Sequence, residues 1–196
     1  MMRRVAPVLP LLAVVAVGCA PTDDDGGEMQ AAGVEPTAAN QTAVVQQAAA
    51  VLRPASGSDV RGTVHFRADD AGGVTVRADV SGLTPGAHAY HVHEYGDCTA
   101  EDATSAGPHY PFVPLGEDAE PEFITGNLGE IEAEEDGSGT ARRSIPVLEL
   151  EGPRGVLGRS VVLHRQPNDT TAPPTGDTGA RIACGVIGVR AGESDS

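Results

Sequence analysis

The stretch from His88 to His109, HAYHVHEYGDCTAEDATSAGPH, decides how the rest of the chain is read. Successive side chains of an extended strand alternate between faces. In AYHVHEY this puts His91 and His93 together on one side and Tyr90 and Val92 on the other; Tyr95 is also expected with these two, which needs a break in strict alternation. Two imidazoles so spaced on an apolar strand make a two-pronged claw. A third, His109, follows a Cys-containing loop and a Ser-Ala-Gly-Pro turn, and a fourth, His164, ends the apolar run SVVLH. A lone strand histidine is more often a satisfied core group or a surface group than a ligand. Here four of the six histidines fall in one pattern, and neutral imidazoles suit copper or zinc.

On both sides of this stretch, short apolar runs alternate with turn residues. VRGTVHFRA (60–68) and VTVRADVSGL (74–83) precede it, separated by Asp69 to Gly73 and followed by Thr84-Pro85-Gly86. After it come Gly129 to Ala133, Gly139 to Ile145, Arg159 to His164 and Cys184 to Val189, divided by EEDGSG, EGPRG and a Pro/Thr/Gly-rich loop. With a first strand near Ala48 to Leu52 the count is about eight, and no helical period interrupts it. Such a string predicts one all-β domain, a single antiparallel sandwich or barrel. A content of 3% aromatics and no Trp requires a core of Val, Leu, Ile and Ala, which the strand faces supply.

Met1 to Gly18 carries two arginines and an apolar run, Val5 to Val17, too short and too proline-interrupted for a comfortable bilayer span. It reads as a signal peptide (1–18), with Ala16-Val17-Gly18-Cys19 resembling a lipobox whose Cys19 takes the lipid and becomes the mature terminus. Ordinary secretory cleavage nearby is the alternative, and both imply export. Residues 19–47 hold almost no large apolar side chains after PTDDDGGE and read as a flexible acidic and polar tether, a short helix through TAVVQQAAAVL being the alternative. Residues 48–190 form the barrel domain, and 191–196 a disordered tail. A formal net charge of -15, from 13 basic and 28 acidic residues, argues against nucleic acid. It also opposes any anionic substrate unless a local cation focuses it. The acids in Gly116 to Glu122 and Glu130 to Asp136 are expected to face solvent. Three cysteines are odd in an exported chain. Lipidation of Cys19 would leave Cys98 and Cys184 as a pair.

The histidine stretch, with its Gly96-Asp97-Cys98 loop and Ser105-Ala106-Gly107-Pro108-His109 turn, resembles the copper/zinc superoxide dismutase family, bacterial exported members included. GARIACGVIGV from Gly179 to Val189 is similar to a second signature of that family, and the likeness runs from about Ala48 to Val189. It implies an eight-stranded antiparallel Greek-key β-barrel, an immunoglobulin-like sandwich with long loops carrying the metal site. It also implies copper ligation by His91, His93, His109 and His164, with His109 in the bridging position. His88 matches a structural histidine, and His65 has no ligand precedent and is expected on the exposed barrel face. A Cys98 to Cys184 disulfide is implied, while Ala103 stands where most eukaryotic members place the loop cysteine. Arg181 matches the active-site arginine, a permanently charged planar donor that draws in the anion.

The chain departs from the family pattern in one place. The family takes its remaining zinc ligands, two histidines and an aspartate, from the loop after the bridging histidine, and Tyr110 to Gly129 contains no histidine. Ile124 falls on one ligand position and Asn127 on that of the aspartate, and neither is a useful zinc donor. Glu117, Asp118, Glu120 and Glu122 are solvated acids in this reading. The expectation is therefore copper without zinc, superoxide as substrate, His109 and Arg181 as catalytic residues, and anchorage of the exported domain to a bacterial cell or outer membrane through Cys19. The family likeness implies that His109 would leave copper on reduction and return as its proton passes to peroxide. A copper-buffering envelope lipoprotein without turnover is the competing reading, and a homodimer is left open.

Overall fold

The computed structural model describes residues 44–113, 126–169, 171 and 178–191. Eight strands run β1 (Gln47–Pro54), β2 (Arg61–Ala68), β3 (Val74–Ser81), β4 (Gly86–His93), β5 (Asn127–Ala133), β6 (Gly139–Ile145), β7 (Ser160–His164) and β8 (Arg181–Val189). All neighbours pair antiparallel in the order β1-β2-β3-β6-β5-β4-β7-β8, and β8 pairs back onto β1 to close the barrel. The connections from β3 past β6 and β5 to β4, and from β6 past β5 and β4 to β7, are the Greek-key crossings. Among the described residues the only helical element is a three-residue 3-10 turn, Thr104–Ala106. The alternation of Ala48, Ala50 and Leu52 inward with Gln47, Ala49, Val51 and Arg53 outward makes the segment after Gln46 a strand and sets the helix alternative there aside.

The core is aliphatic, as the scarcity of aromatics requires: Leu52, Val64, Val76, Val80, Leu128, Ile131, Leu163 and Ile187 are buried around Phe66 and Tyr90. Tyr90 and Val92 belong to this interior, so His91 and His93 on β4 point out of the barrel wall. They are nonetheless buried, because the segments after β4 and after β7 fold over them. A second, smaller apolar cluster lies under the β4–β5 loop, where Ala103 and Ala106 pack on Val162 of β7 and Cys184 of β8.

Two irregularities in the ladders fall at histidines. Between Tyr90 and His91 the pairing skips Leu128 of β5, and between Leu163 and His164 it skips Ile182 of β8. The second matters most. Strict alternation would send Arg181 and Cys184 to opposite faces, but the extra residue lets Ile182 and Ala183 both join the core, and Arg181 pairs with His164 on the outer side.

Candidate metal centre

β4 is held at both edges, by β5 and by β7, so the backbones of His91 and His93 are fixed by ladder hydrogen bonds. The strand ends at His93 because Glu94 and Tyr95 donate their amides to the loop carbonyls of Pro108 and Ala106. The expected placement of Tyr95 with Tyr90 and Val92 is thereby corrected: it lies beyond the strand and is 53% exposed. Its ring covers Gly107, and two things demand glycine there: a φ of 76°, and a ring so close that any Cβ at this position would fall 2.6 Å from it. His109 is brought back onto β4 by an antiparallel bridge to His93, with Tyr110 N donating to Val92 O. Arg159 clamps this loop: its guanidinium stacks 3.3 Å above the Tyr110 ring and donates to the Glu94 carbonyl.

Four imidazoles converge at this place. The rings of His91 and His93 each lie with centroids 4.1–5.5 Å from those of His109 and His164, which are 5.5 Å from each other. Donor atoms of His91, His109 and His164 lie within 4.8 Å of one another, and His93 Nε2 is 3.3 Å from His164 Nε2. Burial is the main cause of a shared effect: His93 and His164 are pushed down to about 3 and His109 to about 4, and His91 is held well below the ordinary range. Coulombic repulsion among the rings and from Arg181 adds to it in part. All four are neutral at physiological pH.

Hydrogen bonds from outside the cluster choose the tautomers. His93 Nδ1–H donates to the Gly107 carbonyl at 2.8 Å, which leaves Nε2 a bare lone pair. His91 Nε2–H donates to Asn168 Oδ1 at 2.9 Å, so its lone pair is on Nδ1, a buried atom without a hydrogen-bond partner. His164 Nδ1 is 2.9 Å from the Thr178 hydroxyl, the ring also bonds the Gly179 backbone, and its Nε2 faces His93. The bare Nε2 of His93 thus lies 3.3 Å from a second ring nitrogen, and the buried Nδ1 of His91 lacks any hydrogen-bond partner. The residues therefore fit a borderline or soft metal ion such as copper.

Arg181 stands at this site. Its Nη1 donates to the Ala103 carbonyl and its Nη2 to the Gly107 carbonyl, both at 2.8 Å. Burial lowers its pKa, which Asp102 opposes, and a guanidinium stays charged. The Gly107 oxygen thus serves a metal-side ring and the arginine together. Cys98 and Cys184 form a disulfide that ties the same loop to β8.

Other histidines stay apart. His88 is buried, with Nδ1 3.0 Å from the His164 carbonyl and Nε2 2.8 Å from the Thr84 carbonyl, as a structural residue would be. His65 sits on the outer side of β2 between Ala49 and Arg77, but half-buried rather than exposed as expected. Its Nδ1 is enclosed without a hydrogen-bond partner. Asn127 Oδ1 accepts from the Gly129 amide and so is turned to its own strand. Ile124, Glu117, Asp118, Glu120, Glu122 and Cys19 lie outside the described residues. Sequence reading missed Gly107, Asn168 and Thr178 as partners of the rings. Only Gly107 left a trace, as the glycine of the turn before His109.

Residues 60–187 match the copper/zinc superoxide dismutase (SODC) family. The chain is 39% identical over 156 residues to a superoxide dismutase [Cu-Zn] of Onchocerca volvulus, covering 74% of this chain and 96% of that relative. It is 37% identical over 155 residues to an extracellular superoxide dismutase [Cu-Zn] of Brugia pahangi, covering 74% and 76%. With the closed barrel and the imidazole cluster in the order these matches require, the chain belongs to the copper/zinc superoxide dismutase family.

Proposed function

We propose that this protein disproportionates superoxide, two anions and two protons giving dioxygen and hydrogen peroxide, at copper held by His91, His93, His109 and His164. The observation that carries the reading is the pair of bare lone pairs on His91 and His93, fixed from outside the cluster, facing His164 and His109 beside a guanidinium. When bound, copper supplies the one-electron chemistry by changing oxidation state. The remaining work falls to the chain. Arg181, held by two carbonyls, presents a fixed cation to the incoming anion and offsets the field of an acidic protein. His109 is suited to handle protons, because its Nδ1 has no hydrogen-bond partner among the described residues and its ring is neutral. Superoxide consumption by copper-loaded protein against the metal-free form is the test. Copper binding without consumption would favour the buffering alternative, against which Arg181 speaks, since storage needs no anion site.

Copper without zinc is part of this reading. It rests on Asn127 at the aspartate position, turned to its own strand, and on a 110–129 loop without histidine. Elemental analysis after loading with both metals should find about one copper per chain and no stoichiometric zinc. Export is supported by the disulfide and by likeness to an extracellular relative. Removal of residues 1–18, a lipid on Cys19, a 19–47 tether, a 48–190 barrel and a 191–196 tail complete the proposal. Mass spectrometry of the native N-terminus checks the lipid, since an unmodified terminus elsewhere removes the anchor. Sedimentation decides between monomer and homodimer.

A further inference from the structure

A carboxylate outside the ring cluster governs the tautomer of His91. Glu130 on β5 is exposed, as the sequence leads one to expect, yet it is engaged. One of its oxygens, Oε1, accepts from the Asn168 backbone amide at 2.7 Å and from Asn168 Nδ2 at 3.1 Å. Asn168 Nδ2 also lies 3.5 Å from Asn127 Oδ1 and from the Gly129 carbonyl. Every one of these neighbours can only accept. An asparagine side chain has two ends, one donating and one accepting, and such surroundings admit a single orientation: the NH2 group faces β5 and Oδ1 faces His91. An oxygen at 2.9 Å from His91 Nε2 in turn requires the proton to sit on Nε2. The lone pair is then on Nδ1, the buried atom without a hydrogen-bond partner.

We infer that Glu130 is a positioning residue for the metal centre: acting through the Asn168 amide, it selects the His91 tautomer whose Nδ1 is open to copper. Protein partners behind a metal-binding imidazole commonly change affinity by about 10–100-fold when removed. Asn168 is one bond from the ring and Glu130 two. The brace also ties the segment after β7 to β5 with no ion involved. The inference rests on the copper reading only for its affinity arm.

The test begins with the metal-free full chain. Long-range proton–nitrogen NMR should find His91 as the Nε2–H tautomer in the wild type. Glu130→Lys puts a donor where an acceptor stood and favours the reversed amide, so the His91 Nδ1–H form should appear. Glu130→Gln, which can still present an oxygen, should keep the wild-type tautomer. Copper affinity by chelator competition should fall about tenfold for Asn168→Ala and roughly threefold for Glu130→Ala. The double variant should match Asn168→Ala, and the Cu(II) EPR parameters should shift in step. An unchanged His91 tautomer in Glu130→Lys, or additive losses in the double variant, would overturn the inference. A wild type with the Nε2–H tautomer that fails to bind copper would instead sink the functional reading and leave the brace standing.

Discussion

Three of the four clustered imidazoles and the fourth are built differently. His91, His93 and His164 ride on ladder-paired strands, and each has one ring nitrogen bonded to Asn168, Gly107 or Thr178. His109 comes from a loop, is attached to β4 by a single bridge, and keeps Nδ1 without a hydrogen-bond partner among the described residues. Locked rings present lone pairs at fixed positions, which favours permanent ligation. An unlocked ring can change its protonation without breaking an existing bond, which favours a part in turnover. The barrel wall thus presents locked rings, and the loop over it a freer one.

Unlocking a rigid ring is the strongest way to break this contrast. Replacing Cys98 and Cys184 by serine frees the loop whose Gly107 oxygen holds His93 and Arg181. The bridge spans 86 residues, so its loss should cost up to roughly 4 to 5 kcal/mol in the chain-entropy model. Denaturant unfolding under oxidising conditions measures it, and an unchanged midpoint would show that the loop is held by its other contacts. Next, His164→Ala should weaken copper by more than about 100-fold, beyond the range for loss of an outer partner, while His109→Ala should lose nearer tenfold. Chelator competition on both decides, and equal losses would erase the distinction between the two kinds of ring. Third, Arg181→Ile should keep copper and slow superoxide consumption by ~10-fold or more. Pulse radiolysis across ionic strength checks it, because loss of the fixed cation should also weaken the salt dependence.

The smallest effect is on stability against pH in the metal-free protein. His93, His164 and His109 have folded-state values of about 3, 3 and 4, depressed below an unfolded value near 6.5. The unfolded chain therefore takes up protons first as pH falls. Stability is intact above about 6.5 and is withdrawn from there down toward 4 for His109 and 3 for the others. At about pH 6 the loss should be under about 1 kcal/mol per ring, and near about pH 5 it steepens toward about 1.4 kcal/mol per unit. Melting temperature from about pH 8 to about pH 5 reads it directly. Copper loading should flatten the curve down to the pH at which protons displace the metal.

Much of this was legible in the residues. The period of two in AYHVH placed Tyr90 inside and His91 and His93 outside, and turn residues marked most strand ends to within a few positions. The ring set, the disulfide and Arg181 were legible by likeness to a family. What escaped has physical reasons. The Gly107 carbonyl and the Gly179 backbone bond by main-chain atoms, which any residue carries. Asn168 lies 77 residues from His91, and only the barrel order makes them neighbours. The bulge at Ile182 has no local sign, since a second inward apolar residue looks like ordinary strand, so alternation alone would have put Arg181 on the wrong face. Tyr95 follows the point where loop carbonyls capture the backbone amides of Glu94 and Tyr95, so no strand face could be read for it.

The return of β8 onto β1 carries a consequence for how the protein meets other chains. An open sheet ends in a strand with a row of unpaired amides and carbonyls, a template on which another chain can add and begin a fibril. Each of the eight strands here has a neighbour on both sides, so the barrel offers no such template. The protection lies in the geometry itself and needs no chaperone, and closure supplies it while leaving the outer wall free to carry chemistry.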